Sequence, residues 1–205
     1  VLGKSDSTLP MIMDILESNS MFPKINVINN LCLPIEHEVV NPKFNMVFSA
    51  YLNDKDVVYT LGSTQVKNKL ILFDIFNKPK ESYLSLVHRW SYLSSTSSLG
   101  NGCIINANSS VSNHARLGSF VTLNLNCIVS HHVVIEDFVT LNPGVNVAGH
   151  SVIKKGTTIG MGANVINGIT IGSNVVIGAG SLVNKDIPDN VVAYGSPCKI
   201  IRINE

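Results

Sequence analysis

The sequence predicts two unlike parts: a small α/β domain over residues 1–93, Rossmann-like with a parallel sheet, and a parallel β-helix of hexapeptide repeats over residues 94–205. Three observations predict this division. Stepping by six from Leu99 gives Leu99, Ile105, Val111, Leu117, Leu123, Val129, Ile135, Leu141, Val147, Ile153, Ile159, Val165, Ile171, Ile177 and Val183, so fifteen steps all hold Leu, Ile or Val. The position four after each aliphatic residue holds only Cys, Ser, Ala, Val, Thr or Ile from Cys103 to Ser181. Before residue 94 the rhythm is absent, and short apolar runs alternate with stretches of helical spacing instead.

A large aliphatic residue and a mostly small one in every hexad suit one short strand followed by a tight corner. Three hexads close a triangular coil of eighteen residues, so fifteen make five coils. At the usual strand spacing of ~4.8 Å the prism is roughly 24 Å tall. Residues eighteen apart then lie above one another. Val111, Val129, Val147, Val165 and Val183 form one β-branched column, as a buried strand face prefers. Asn106, Asn124 and Asn142 form another, which reads as a side-chain amide ladder at a corner. Spacing alone does not set the hand of the coil.

The N-terminal part reads in order as follows. Val1 to Gly3 end a strand, Lys4 to Thr8 form a polar loop, and Leu9, Ile12, Met13 and Leu16 line one face of a helix. Strands are expected at 25–28, 46–48 and 57–61, a helix at 65–76, and a strand at 83–87 leading into the repeat. The loop before the first helix places backbone N–H groups where phosphate binds well. With Gly3 as its one glycine it carries no dinucleotide fingerprint, and Ser7 or Thr8 reads equally as a helix N-cap. Asn29 and Asn30, just past the second strand, stand where a base or ribose is read or where the chain simply turns. Beyond Val183, residues 184–190 are a turn-rich exit and 191–201 a last apolar stretch.

Composition removes several function classes. A net charge of +1 with 14% charged residues gives no electrostatic footprint for nucleic acid or an anionic membrane, and no apolar run is long enough to span a bilayer. No signal-peptide pattern appears, and with Val1 in first place a few further N-terminal residues are expected. Cys32, Cys103, Cys127 and Cys198 lie far apart without paired spacing, which fits a reducing cytoplasm.

The histidines carry the chemistry. His114, His132 and His150 are eighteen apart and stack in one column, while His131 occupies the adjacent column with Asn113 a coil below and Gly149 a coil above. A histidine beneath a glycine offers a base and, from the Gly149 amide, a donor to a developing oxyanion. The plain alternative makes His114 and His150 solvent-exposed corner residues. A metal reading is also open, but three imidazoles in successive coils make a poor tetrahedral set, so no metal is expected.

At these residues the sequence resembles the left-handed β-helix acyltransferases. More closely, it is similar to the bacterial nucleotide-sugar N-acetyltransferases that modify 4-amino-4,6-dideoxy sugars, and to the related sialic acid O-acetyltransferases. The likeness is carried by residues 128–135 (IVSHHVVI), by Asn142, Pro143, Gly144 and Val145, by Ala148 and Gly149, and by the ending at residues 183–188 (VNKDIP) with Gly195, Ser196 and Pro197. The N-terminal half matches in layout, with Gly62 and residues 86–88 as local anchors.

The resemblance implies a left-handed coil and a homotrimer with acetyl-CoA, or another acyl-CoA, in the groove between neighbouring prisms. The N-terminal domain would hold a nucleotide-linked amino sugar. His131 falls on the family's catalytic histidine and Gly149 on the glycine whose N–H meets the thioester oxygen. Asn124 matches a polar position near the acyl group, and Thr140, Met161 and Ala179 match CoA-contacting positions. Ser5, Asp6 and Ser7 match the phosphate loop; Asn29 and Asn30 match a usually acidic pair that reads the nucleotide. The chain departs from the family in having His132 after the catalytic histidine, where Asp or Glu usually orients the ring, in its glycine-poor phosphate loop, and in the amides at 29 and 30. The expected activity is acetyl transfer from CoA to the 4-amino group of a nucleotide-linked 4-amino-4,6-dideoxy sugar, in bacterial surface-glycan biosynthesis. O-acetylation or transfer of a larger acyl group is the alternative within enzymes, and a non-catalytic β-helix the alternative outside them.

Overall fold

In a computed structural model, the structure describes residues 8–20, 25–28, 46–49, 59–61 and 64–205. From Leu86 onward the chain winds as a three-faced parallel β-solenoid of two-residue strands. One face holds six strands, from Tyr92–Leu93 through Ser110–Val111, Ile128–Val129, Asn146–Val147 and Asn164–Val165 to Leu182–Val183. A second holds five, from Ser98–Leu99 to Thr170–Ile171, and the third holds eight, from Leu86–Val87 through Thr140–Leu141 to a closing pair, Val191–Tyr194 and antiparallel Lys199–Ile203. Strand partners sit eighteen residues apart in register, as Val129 does between Val111 and Val147.

The two sequence columns meet in the core. The five stacked valines are at most 2% exposed. The small position is equally closed: Cys103, Ala115, Cys127, Ser151, Thr157 and Ser181 are all fully buried. Its hydroxyls are satisfied by main-chain carbonyls, Ser151 donating to Ile166 and Thr157 to Gly172, so small polar residues fit the corner without an unpaired group. Burial pushes the thiols of Cys103 and Cys127 up to about 11, and both act as small hydrophobes.

The solenoid starts earlier than residue 94. Leu86–Val87 and Tyr92–Leu93 already pair in register with Ile104–Ile105 and Ser110–Val111, because Val87 and Leu93 continue the step of six backward. After Val183 the register slips by two, Ile187 bridging Ile171 and Ala193 pairing with Ile177.

The corners add what spacing did not announce. From Gly102 to Gly180 a residue with positive φ recurs every six, held by Gly, Asn, His or Phe. Glycine and asparagine enter this left-handed region readily. Phe120 and Phe138 sit in it as well, in a packed corner: they stack at 4.8 Å and are capped by Phe73 and Tyr83.

Phe73 belongs to α2 (Val66–Phe76), which lies on the junction of the five- and eight-strand faces. From the same helix Lys69, 2% exposed, reaches into the solenoid. Its Nζ donates to the carbonyls of Phe120 and Val139 and to the hydroxyls of Thr122 and Thr140. The other helix, α1 (Thr8–Ser18), sits against the first coil, with Asp14 beside His88 at 3.5 Å and the adjoining Asn19 donating to the Val87 carbonyl.

Between the helices run β1 (Ile25–Ile28) and β2 (Met46–Ser49), paired in parallel. Both helices and both strands fall where expected. Among the described residues, however, the N-terminal part holds two helices and one parallel pair, not the alternating sheet of a Rossmann-like domain. The expected strand at 57–61 survives as a bridge from Tyr59 to Tyr83. Ser5, Asp6, Ser7, Asn29, Asn30, Gly62 and Cys32 lie outside the described residues. No described helix is long and apolar enough to cross a membrane.

Candidate functional site

The corner between the six- and five-strand faces carries His114, His131, His132 and His150, all exposed. His114, His132 and His150 occupy the left-handed position, with φ of 59°, 58° and 59°, and are therefore corner residues. His132 and His150 stack at 4.9 Å and His114 tilts over His132 at the same separation.

His131 stands one position earlier, out of the stack and directly below Gly149. A β-carbon built at Gly149 would stand 2.6 Å from Cε1 and 2.8 Å from Nε2 of the His131 ring. Only glycine leaves room for the imidazole there. Gly149 itself is buried, and among the described residues its amide hydrogen meets no acceptor. The other His131 nitrogen, Nδ1, lies 3.2 Å from Nδ1 of His132.

Which of these two nitrogens carries the hydrogen depends on the tautomer. The His132 pKa is lowered by desolvation in the stack, then by the neighbouring His150, His114 and His131 rings and by Arg116. A neutral His132 can accept from His131 Nδ1–H, which leaves the lone pair of His131 on Nε2, against Gly149. The residue in the usual acidic position thus touches the ring it follows.

The residues expected at CoA stand at a different corner, between the eight- and six-strand faces. Met161 and Ala179 are exposed there in a column with Leu125 and Pro143. Asn124, half-buried just before it, accepts from Asn106 and donates to the Leu141 carbonyl, while Asn142 donates to Ile159, so the amide ladder also caps main-chain carbonyls. Thr140 is placed differently from the rest. It is 3% exposed beneath α2, where its hydroxyl donates to the Thr64 carbonyl and accepts from Lys69. The width of the six-strand face separates this corner from His131 within one chain. Position in the turn, and not residue type, distinguishes His131 from its three neighbours, as the count of eighteen predicts.

The bacterial transferase hexapeptide pattern of six repeats matches residues 150–185. No curated protein sequence matches the chain. The fold is that of several solved structures. The acetyltransferase domain of PglB from Neisseria gonorrhoeae in complex with acetyl coenzyme A superposes with a TM-score of 0.83 at 21% identity, covering 96% of this chain and 95% of that one. A mutant of perosamine N-acetyltransferase from Caulobacter crescentus in complex with CoA and GDP-perosamine gives 0.81 at 19% identity, covering 97% and 94%. WeeI from Acinetobacter baumannii gives 0.79 at 20% identity, covering 95% and 93%.

Proposed function

We propose that the chain is a CoA-dependent sugar N-acetyltransferase, with His131 as the general base. The observation that carries this reading is the His131 ring seated under Gly149, with Nδ1 on His132 and Nε2 facing the glycine. It is supported by the fold shared with proteins named as acetyltransferases and solved with acetyl-CoA or CoA, one of them with GDP-perosamine.

The residues present fit an acyl thioester. The exposed column of Leu125, Pro143, Met161 and Ala179 suits a pantetheine arm, and the Gly149 amide is a donor without an acceptor among the described residues. Acetyl-CoA supplies the activated acyl group. His131 Nε2 would take the proton from the sugar amine as it attacks and return it to the sulfur as the C–S bond breaks and the thiol leaves, and the Gly149 N–H would meet the negative charge that develops on the acyl oxygen. His132 holds the His131 ring and its tautomer. Because the CoA corner and the histidine corner flank opposite edges of one face, we place the cofactor in the seam of a homotrimer of left-handed prisms, where one chain's column faces the next chain's His131. The substrate is the 4-amino group of a nucleotide-linked 4-amino-4,6-dideoxy sugar, its nucleotide held by Ser5, Asp6, Ser7, Asn29, Asn30 and Gly62.

The test is thiol release from acetyl-CoA against a panel of UDP-, dTDP- and GDP-linked amino sugars. One member of the panel is expected to turn over, and His131→Ala to lower kcat roughly 10²-fold or more with the sugar KM little changed. Near-normal turnover in that variant removes His131 from the mechanism.

A further inference from the structure

The histidine corner holds more imidazole than acyl transfer uses. His131, His132 and His150 each offer a ring nitrogen, and these atoms lie within 4.8 Å of one another. Two already stand at the separation that ligands of a single ion have. Zinc binds imidazole at ~2.0–2.1 Å, so two nitrogens on one tetrahedral ion sit about 3.4 Å apart, close to the 3.2 Å between Nδ1 of His131 and Nδ1 of His132. The third ring, His150, is 5.0 Å from His131 between centroids, edge to face. Being exposed, it can turn about its own side-chain bonds to close the remaining gap. Three histidines with a fourth position open to water are a common zinc set, and neutral imidazole is the ligand form Zn²⁺ and its neighbours favour. Nothing in the proposed reaction requires such an ion.

We propose that His131, His132 and His150 form a binding site for a divalent transition metal such as Zn²⁺, and that occupancy inhibits the enzyme. An ion on His131 Nδ1 takes the lone pair there and puts the ring hydrogen on Nε2, the nitrogen that must take the amine proton, so metal and turnover exclude each other. The inhibition rests on the function proposed above; the binding does not.

Binding is read on the whole chain by titrating Zn²⁺ against a chromophoric chelator, with Co²⁺ absorption reporting coordination number. About one ion per chain is expected, with a four-coordinate cobalt spectrum. His150→Asn removes one ligand while keeping a residue suited to the left-handed turn, as Asn108, Asn126 and Asn174 already are at equivalent corners. It should weaken binding about tenfold or more. His114→Asn, which alters the stack outside the ligand set, should leave the affinity unchanged. Zinc should abolish thiol release, EDTA should restore it, and His150→Asn should retain turnover at zinc concentrations that stop the parent. Equal affinity in His150→Asn, or binding lost on thiol blocking, overturns the site. Bound zinc without inhibition overturns the regulatory half. Thiol release that never appears with any amino sugar overturns the transferase reading while the titration still decides the site.

Discussion

Two corners of the same solenoid use the same backbone turn for opposite ends. At one, Phe120 and Phe138 sit at φ 59° and 62°; at the other, His132 and His150 sit at 58° and 59°. Both pairs are eighteen residues apart and both stack, at 4.8 Å and 4.9 Å. What differs is the cover. α2 and Tyr83 close over the phenylalanines, which are 1% and 3% exposed, whereas nothing among the described residues covers the histidines. The same turn thus carries an aromatic column at two corners, and the segment laid over one of them decides whether the column is packed or open to solvent.

The comparison breaks most visibly under Phe120→Ala. Removing a buried ring that touches Phe73, Tyr83 and Phe138 should cost ~3–5 kcal/mol in denaturant unfolding. Alanine at His114 on the open corner should leave the midpoint where it is. Equal losses at the two corners would mean that α2 does not carry the difference.

Lys69 sharpens the same point, since it ties α2 to the covered side. Burial lowers its pKa from 10.5 to about 7. Between those values the unfolded chain holds a proton that the folded chain has released, so the Lys69 contribution to stability is flat below pH 7 and rises above it with a slope of at most ~1.4 kcal/mol per pH unit, opposed above about pH 9 by the buried thiols of Cys103 and Cys127. Lys69→Met should abolish that rise in a series of urea titrations. A wild-type curve that is level from pH 7 to 9 would show that Lys69 keeps its proton, held by its oxygen acceptors.

How much of this was legible in the sequence follows from what kind of information each part needs. The coil is written in a strictly local period, and both the aliphatic and the small columns are where counting puts them. Counting also places His131 under Gly149, because stacking is arithmetic once the period is known. The early start at Leu86 was equally written, in Val87 and Leu93, but two hexads before a break are easily read as an ordinary strand. Three things were not legible. The left-handed corner has no single residue signature, Gly, Asn, His and Phe all filling it. The fate of Thr140 depends on α2, a helix from a distant stretch of chain whose Lys69 and neighbouring Thr64 occupy the hydroxyl. The contact between His131 and His132 needs side-chain geometry, which no period encodes.

On the open corner, Gly149→Ala is the next largest change expected. The added methyl carbon would fall 2.6 Å from the His131 ring, and the backbone at Gly149 is not in the left-handed region, so the fold should accept alanine while the ring moves. A displacement of about 1 Å at a reacting group commonly costs on the order of 10²-fold in rate. The loss should appear in kcat with an unchanged unfolding midpoint. Full turnover would show that the ring does not work against this glycine.

The smallest effect separates the two corners most finely. His132→Phe makes the open corner copy the packed one, keeping a ring in a turn that already accepts phenylalanine twice in this chain but removing the acceptor that faces His131 Nδ1. Losing an orienting partner leaves the base in mixed tautomers; with a neutral ring as that partner, the loss should lie at the low end of such effects, about tenfold in kcat with KM unchanged. His132→Asn offers a carbonyl oxygen in the same left-handed turn and should recover most of the rate. A purely structural His132 would make the two substitutions equivalent, since both fit the turn, whereas an orienting His132 makes the oxygen decisive.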